Sequence, residues 1–235
     1  ASKPAPDLLA SAAAALSLFA GSATLFINYP TISPNGDGIR DGMTVLVTLS
    51  DPVDTLTVDI RDKTAPAIYQ ILISEIPAAA GDHSAVWDGT DWTGATLPEG
   101  EYDLHLYEST GGAGEHIYRT VIIDLTSPAV SIDRVEPGVH SPGWPDTSAA
   151  VNVYFAVSGW EEGAAARMTV RDPSGLETVD PLGVEGDGDW TGIWKPAEAE
   201  SGFHTITITV EDEAGNRDAD SGSVYIDSDG PDIEF

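Results

Sequence analysis

Short runs of alternating apolar and polar residues, separated by Gly, Pro, Asn and Asp, fill the sequence from Thr24 onward. Clear examples are the runs at residues 56–61, 102–106, 151–157 and 204–211. Because successive side chains of a strand point to opposite faces, each run would bury one face. Periodicity of the helical kind is nearly missing. The pattern predicts an all-β protein built as a sandwich of sheets.

The runs recur in the same order in two halves of the chain, which predicts tandem domains. Residues 58–62 correspond to 168–172, and Gly100 precedes a run in the first half as Gly202 does in the second. The pattern at 123–132, which joins the halves, returns at 226–235. We therefore expect four segments, which are an Ala-rich arm at 1–23, domains at 24–126 and 127–229, and an extra strand at 230–235.

The two terminal segments each allow more than one interpretation. The extra strand, with Pro231, Ile233 and Phe235, starts a further repeat of a longer array, pairs with the open sheet edge of an identical subunit, or folds back on its own domain. The Ala-rich arm packs on this or another subunit, or is left over from a signal-type segment. Its apolar stretch, residues 7–21, is shorter than the ~20 residues of a transmembrane helix, so we expect no membrane span in the mature chain.

The charge balance excludes one class of partner. The chain carries 10 Lys and Arg against 39 Asp and Glu, a formal net charge of -29, which would repel a nucleic-acid backbone or an anionic membrane surface. The excess carboxylate is explained by solubility in high salt, by binding of divalent cations, or by solvation of an extended surface. Cysteine is absent, which excludes disulfides, thiolate metal sites and cysteine nucleophiles.

Two family resemblances cover the two halves. Residues 32–41 (ISPNGDGIRD), 87–91 (WDGTD) and 94–104 make the first half similar to the FlgD-type immunoglobulin-like fold of bacterial secreted and surface proteins. Residues 210–216 (VEDEAGN) and 225–231 make the second half similar to the immunoglobulin-like repeats of large bacterial adhesins. The resemblances imply two tandem immunoglobulin-like β-sandwich domains, an extracellular or cell-surface location, and a scaffolding or adhesive role without catalysis.

Two sets of oxygen-bearing residues are candidates for calcium binding. Asn35, Asp37 and Asp41 surround two glycines at near-alternating spacing, and together with Ile39 they form a loop that can wrap a hard cation. Asn-Gly and Asp-Gly are also ordinary turn dipeptides, so a plain turn is an equal alternative. The second set follows from the adhesin resemblance, which implies calcium at the junctions between repeats; it comprises Asp212, Asn216 and Asp227. For that set the competing interpretation is a hairpin turn at Ala-Gly-Asn.

Two tryptophans, Trp92 and Trp144, are candidates for ligand binding. They stand in polar or Pro-rich loops, where an exposed ring could stack on a surface glycan. Packing between modules is the competing explanation. Trp87 and Trp194 occupy similar places before later strands, which indicates core anchors.

The inventory of catalytic motifs argues against an enzyme. The histidines are scattered and show no pair at metal-ligand spacing; they are His83, His105, His116, His140 and His204. The sequence also lacks His-Glu-x-x-His, Gly-x-Ser-x-Gly and a phosphate-binding glycine loop. We therefore expect no enzymatic activity.

Three functional hypotheses follow from these features. In the first, the domains form a semi-rigid rod of a surface protein or fibre, stiffened by calcium, whose partners are neighbouring repeats or a surface glycan or protein target. In the second, the chain is a subunit of an extracellular filament or layer and assembles with identical subunits through its terminal segments. In the third, it is a carbohydrate-binding accessory region of a secreted enzyme.

Overall fold

The computed structural model describes residues 18–20, 22–65, 67–141, 150–196 and 199–228. Within these ranges every regular element is a β-strand, which confirms the all-β prediction. The chain divides after Leu125 into two compact units, Ala1–Leu125 and Thr126–Phe235. The predicted site residues that lie outside the described ranges are Trp144, Pro231, Ile233 and Phe235.

Unit 1 is a sandwich of two sheets. Its strands are β1 (Leu18–Ala20), β2 (Ala23–Ile27), β3 (Thr31–Ile32), β4 (Met43–Leu49), β5 (Thr55–Asp62), β6 (Ile68–Glu75), β7 (Gly81–Trp87), β8 (Gly100–Thr110) and β9 (Ala113–Ile123). One sheet has the order β1-β2-β4-β7 and the other the order β3-β9-β8-β5-β6. Neighbouring strands are antiparallel except β3 and β9, which are parallel.

Unit 2 is a second sandwich of the same kind. Its strands are β10 (Ala129–Glu136), β11 (Val139–His140), β12 (Val151–Ser158), β13 (Ala165–Arg171), β14 (Glu177–Leu182), β15 (Gly188–Trp194), β16 (Gly202–Glu211) and β17 (Arg217–Ile226). The sheets have the orders β10-β12-β15 and β11-β17-β16-β13-β14. Here the parallel pair is β11 and β17.

The two units share one strand topology. The order β2-β4-β7 corresponds to β10-β12-β15, and β3-β9-β8-β5-β6 corresponds to β11-β17-β16-β13-β14. The correspondence predicted between residues 58–62 and 168–172 is confirmed, because these segments belong to β5 and β13. Gly100 and Gly202 likewise open β8 and β16.

Successive residues of the alternating runs face the inside and the outside of each sandwich in turn. In β4 every second side chain is buried, and the same holds in β12. The buried positions are Met43, Val45, Val47 and Leu49 in β4 and Val151, Val153, Phe155 and Val157 in β12. Each unit encloses its own apolar core, and burial stabilises the fold by about 1.5–3 kcal/mol for each large aliphatic or aromatic side chain.

Candidate functional site

The predicted calcium loop connects β3 to β4 and is closed by its own side chains. Asp41 accepts hydrogen bonds from the backbone N–H groups of Gly36 at 2.7 Å and Gly38 at 2.8 Å, one on each carboxylate oxygen. The φ angles of these glycines are 85° and 86°, in the left-handed region that glycine adopts without strain. The glycines thus let the backbone turn its N–H groups toward the carboxylate.

Three more loop residues complete the set predicted from the sequence. Asn35 Oδ1 accepts from the N–H of Asp37 at 2.9 Å, and Asp37 Oδ1 accepts from the N–H of Ile39 at 2.7 Å. Carboxylate and amide oxygens keep lone pairs for a further partner, and Ile39 offers its carbonyl oxygen. These are the ligand types that calcium takes, so the residues fit a calcium ion. The same hydrogen bonds also satisfy the plain turn that was the alternative interpretation.

A second motif of unit 1 holds this loop in place. A Cβ on Gly89 would come within 2.7 Å of Pro34 Cγ, and a Cβ on Gly42 would come within 2.7 Å of the Trp87 carbonyl oxygen. The absence of side chains at the two glycines therefore lets the segments 32–41 and 87–91 pack directly on each other. Two of the three sequence motifs that carry the FlgD resemblance thus meet at one end of the unit.

The loop lies at the end of unit 1 where the chain leaves the sandwich. Ile32 and Ile123, the last residues of the parallel strands β3 and β9, are paired. Beyond the strands, Asp124 donates its N–H to the carbonyl oxygen of Ile32 at 3.0 Å. An ion bound at residues 35–41 would therefore lie close to the segment that leads out of the unit.

Asp212 and Asn216 form the turn between β16 and β17. Asp212 accepts from the Asn216 backbone N–H at 2.9 Å and from the Asn216 side-chain Nδ2 at 3.0 Å. Both residues are buried, and this burial raises the pKa of Asp212 above its ordinary value, against the hydrogen bonds from Asn216 that lower it. The contacts are those of a hydrogen-bonded hairpin turn.

Asp227 does not join Asp212 and Asn216. It follows the last residue of β17, whereas the turn precedes the first, and the ten residues of β17 separate them by about 30 Å. The three residues therefore do not form one metal site within unit 2. Asp227 instead occupies the place that Asp124 has in unit 1, since each donates its N–H to the last residue of the short parallel strand.

The tryptophans divide into buried and exposed. Trp92 is 77% exposed, whereas Trp87 is 1% exposed and donates its indole N–H to the Thr90 carbonyl at 2.9 Å. The prediction of a core anchor at Trp87 is therefore confirmed. Trp194 is half-buried and packs against the core of unit 2. Together with His204, whose ring centroid lies 5.2 Å away, it lines a cleft of about 280 Å³.

The outer face of the β3-β9-β8-β5-β6 sheet carries a polar cluster that sequence reasoning missed. Nε2 of His105 lies 2.9 Å from Nδ1 of His116, so two histidines taken as scattered are in contact. Nδ1 of His105 lies 3.2 Å from Asp59 Oδ2, and Arg61 donates to both oxygens of Asp59. The expectation of no paired histidines is thereby corrected.

A turn brings these histidines together. The two residues at 111–112 are glycines with φ angles of 61° and 82°, as in a tight hairpin turn. This turn pairs His105 with Tyr118 and Tyr107 with His116 across β8 and β9. The Gly-Gly dipeptide was the signal that could have revealed the pair, because it sets the register of the hairpin.

The described residues contain neither a larger metal-binding cluster nor a membrane-spanning helix. Within the described ranges, no group of three or more His, Asp or Glu side chains is arranged to hold a metal ion. The same ranges contain no helical segment with the length and hydropathy of a bilayer span.

Family models match both units. Residues 31–112 match the FlgD Ig-like domain, and residues 152–228 match the bacterial Ig-like domain. Both halves are immunoglobulin-like. The two resemblances predicted from the sequence are confirmed, and the fold is a pair of tandem immunoglobulin-like β-sandwich domains.

Three curated relatives are much longer than their shared region. The basal-body rod modification protein FlgD of Salmonella typhimurium is 31% identical over an alignment of 100 residues. The match covers 38% of this chain and 42% of that protein. The FlgD protein of Escherichia coli is 35% identical over 82 residues, 33% of this chain and 35% of its own. C5a peptidase of Streptococcus pyogenes is 26% identical over 215 residues, 80% of this chain and 17% of the peptidase. The chain thus spans less than half of each of these relatives.

Solved structures show weaker likeness. A tetra-tandem repeat from the extending region of a large adhesion protein has a TM-score of 0.37 and 18% identity, and the match covers 89% of this chain and 50% of that one. The adhesin InvE of Yersinia pseudotuberculosis has a TM-score of 0.29 and 14% identity, with 86% and 58% covered. Scores at this level add nothing to the family matches.

Proposed function

We propose that the chain is a non-enzymatic spacer module of a secreted or surface-displayed bacterial protein. The observation that carries this proposal is the repetition of one two-sheet topology in both units, each with its own core. Modules of this kind extend a protein by repetition, and both units match bacterial immunoglobulin-like families. The net charge of -29 favours solubility and repels anionic surfaces.

Calcium at the 35–41 loop is the second part of the proposal. The loop carries the carboxylates of Asp37 and Asp41 and the amide of Asn35 in one exposed, hydrogen-bonded conformation. An ion that binds only the folded loop stabilises unit 1 by mass action. Because β3, which leads into the loop, is hydrogen-bonded at Ile32 to Asp124, where the chain leaves unit 1, the ion would also restrict the linker that follows.

Thermal unfolding in excess calcium and in EDTA tests this part. We expect calcium to raise the melting temperature of unit 1 in the wild type but not in Asp41→Ala. In EDTA, Asp41→Ala should cost about 1 kcal/mol, because two backbone N–H groups lose their acceptor. The matched control is Asp51→Ala, which removes an exposed carboxylate outside the loop and should keep the calcium response. An equal calcium response in Asp41→Ala and Asp51→Ala would mean general charge screening and would overturn the site.

Glycan binding at Trp92 is a second candidate function, supported by the exposure of 77% of this side chain. A flat aromatic face open to solvent is a suitable platform for a sugar ring. Binding of the wild type to a glycan array, lost in Trp92→Ala and kept in a variant of the half-buried Trp194, would support it. An array without any Trp92-dependent signal would contradict glycan binding and leave the spacer role as the only proposed function.

A further inference from the structure

We infer that His105 and His116 of unit 1 bind one divalent transition-metal ion that prefers imidazole ligands, such as Zn²⁺, Ni²⁺ or Cu²⁺. The ligand atoms are Nε2 of His105 and Nδ1 of His116, which lie 2.9 Å apart. The pair is on the outer face of the β8–β9 hairpin, whereas the proposed calcium loop follows β3. The inference therefore stands independently of the proposed function.

Asp59 prepares His105 for this role. Arg61 donates from Nε and Nη2 to the two oxygens of Asp59, and Oδ2 of Asp59 lies 3.2 Å from Nδ1 of His105 as a hydrogen-bond acceptor. Nδ1 must then carry the proton of His105, and Nε2 presents its lone pair toward His116. A carboxylate that orients a histidine in this way is the usual neighbour of a metal-bound imidazole.

The burial of the cluster favours the neutral imidazole that metals bind. Asp59 and His105 are each 1% exposed, although they lie on the face of the sheet opposite the core. This desolvation lowers the pKa of His105, against the hydrogen bond that His105 donates to Asp59, which raises it. His116 is exposed, so an ion can reach the pair from solvent.

Unit 2 indicates that the fold does not require the cluster. The two units share their strand topology, yet the three corresponding positions of unit 2 carry smaller residues that are neither histidine nor carboxylate. The strand pairing places Thr169, Thr207 and Ala219 at the positions of Asp59, His105 and His116, respectively. The buried carboxylate and the paired imidazoles are therefore a property of unit 1 beyond its sandwich.

Nε2 of His105 and Nδ1 of His116 would be the two protein ligands of the ion. His116 carries its proton on Nε2 when Nδ1 binds the ion, and the metal replaces the hydrogen bond between the two rings. No third His, Asp or Glu ligand joins them among the described residues, so water completes the coordination. A site with two protein ligands is exchangeable, unlike structural zinc sites with four.

Titration of the full chain with Zn²⁺ in excess calcium tests the inference, because calcium occupies oxygen sites and leaves imidazole nitrogens free. Calorimetry should show one equivalent of zinc bound. Nitrogen NMR of the histidine side chains should show shifts at Nε2 of His105 and Nδ1 of His116. Shifts at other histidines only, or no binding of one equivalent, would overturn the site.

Two variants make the test specific. His116→Ala removes an exposed ligand and should weaken zinc binding by about tenfold or more. The matched control is His83→Ala, which removes an imidazole whose nitrogens contact Glu75 at 3.0 Å and the Ala79 carbonyl at 2.8 Å; its zinc affinity should equal that of the wild type. Equal zinc affinity in His116→Ala and the wild type would contradict the inference, while the calcium response of the wild type and its loss in Asp41→Ala would be unaffected.

Discussion

Trp87 and Trp92 stand close together in sequence, but they are 1% and 77% exposed. We predict that Trp87→Ala lowers the free energy of unfolding of unit 1 by about 3–5 kcal/mol, because it empties the core. Trp92→Ala should change the free energy of unfolding by about 0.5 kcal/mol or less. Urea unfolding of both variants measures these values. Equal losses would mean that Trp92 is packed as tightly as Trp87.

His105 gives unit 1 a specific dependence on pH. Burial lowers its pKa below the ordinary 6.5, so its contribution to stability is present above pH 6.5 and is lost as pH falls through the folded-state pKa. His83 acts in the opposite sense, because the hydrogen bond to Glu75 raises its pKa and its contribution is lost as pH rises. Thr207 stands at the position of His105 in unit 2. We predict that the corresponding substitution, His105→Thr, reduces the loss of stability of unit 1 between pH 7.5 and pH 5.

Urea unfolding of wild type and His105→Thr at the two pH values measures this difference. All other titrating groups are common to both proteins, so the difference in the pH dependence belongs to His105 and to its contacts with Asp59 and His116. An unchanged pH dependence in His105→Thr would show that the imidazole titrates as it does in the unfolded chain.

At the scale of the element, the β8–β9 hairpin depends on its glycine turn. Gly112 has a φ of 82° and open space where a Cβ would lie. We predict that Gly112→Ala costs about 1–2 kcal/mol through backbone strain alone. Gly183→Ala is the control, since Gly183 also faces open space but has no positive φ, and should be nearly neutral. The same Gly112 variant should weaken zinc binding if the turn sets the histidine register.

The strands could be predicted from the sequence because one face of each run meets a core. The alternation of the runs that became β5, β8, β12 and β16, together with the order of the runs, predicted the two sandwiches. The contact of His105 with His116 was missed because the hairpin register, not sequence spacing, brings them together. The sequence placed Asp227 in one set with Asp212, but the extended strand β17 lies between them and puts them at opposite ends of the sheet.

At the scale of the whole molecule, each unit has its own core and its own pair of sheets. We predict that fragments 22–125 and 126–228 fold separately, and that their calorimetric transitions reproduce those of the full chain. A fragment that remains unfolded would show that its unit needs the other. The cut lies at the limit between the two units, one residue before the domain limit predicted from the sequence.

In the proposed function the chain is a spacer of two immunoglobulin-like units, and calcium restrains the linker between them. Small-angle X-ray scattering of the full chain, in calcium and then in EDTA, tests it most directly. The account predicts single chains in both solutions and a narrower distribution of interatomic distances in calcium. Identical profiles in the two solutions would contradict calcium restraint, and ordered polymers would contradict the spacer role in favour of a self-assembling subunit.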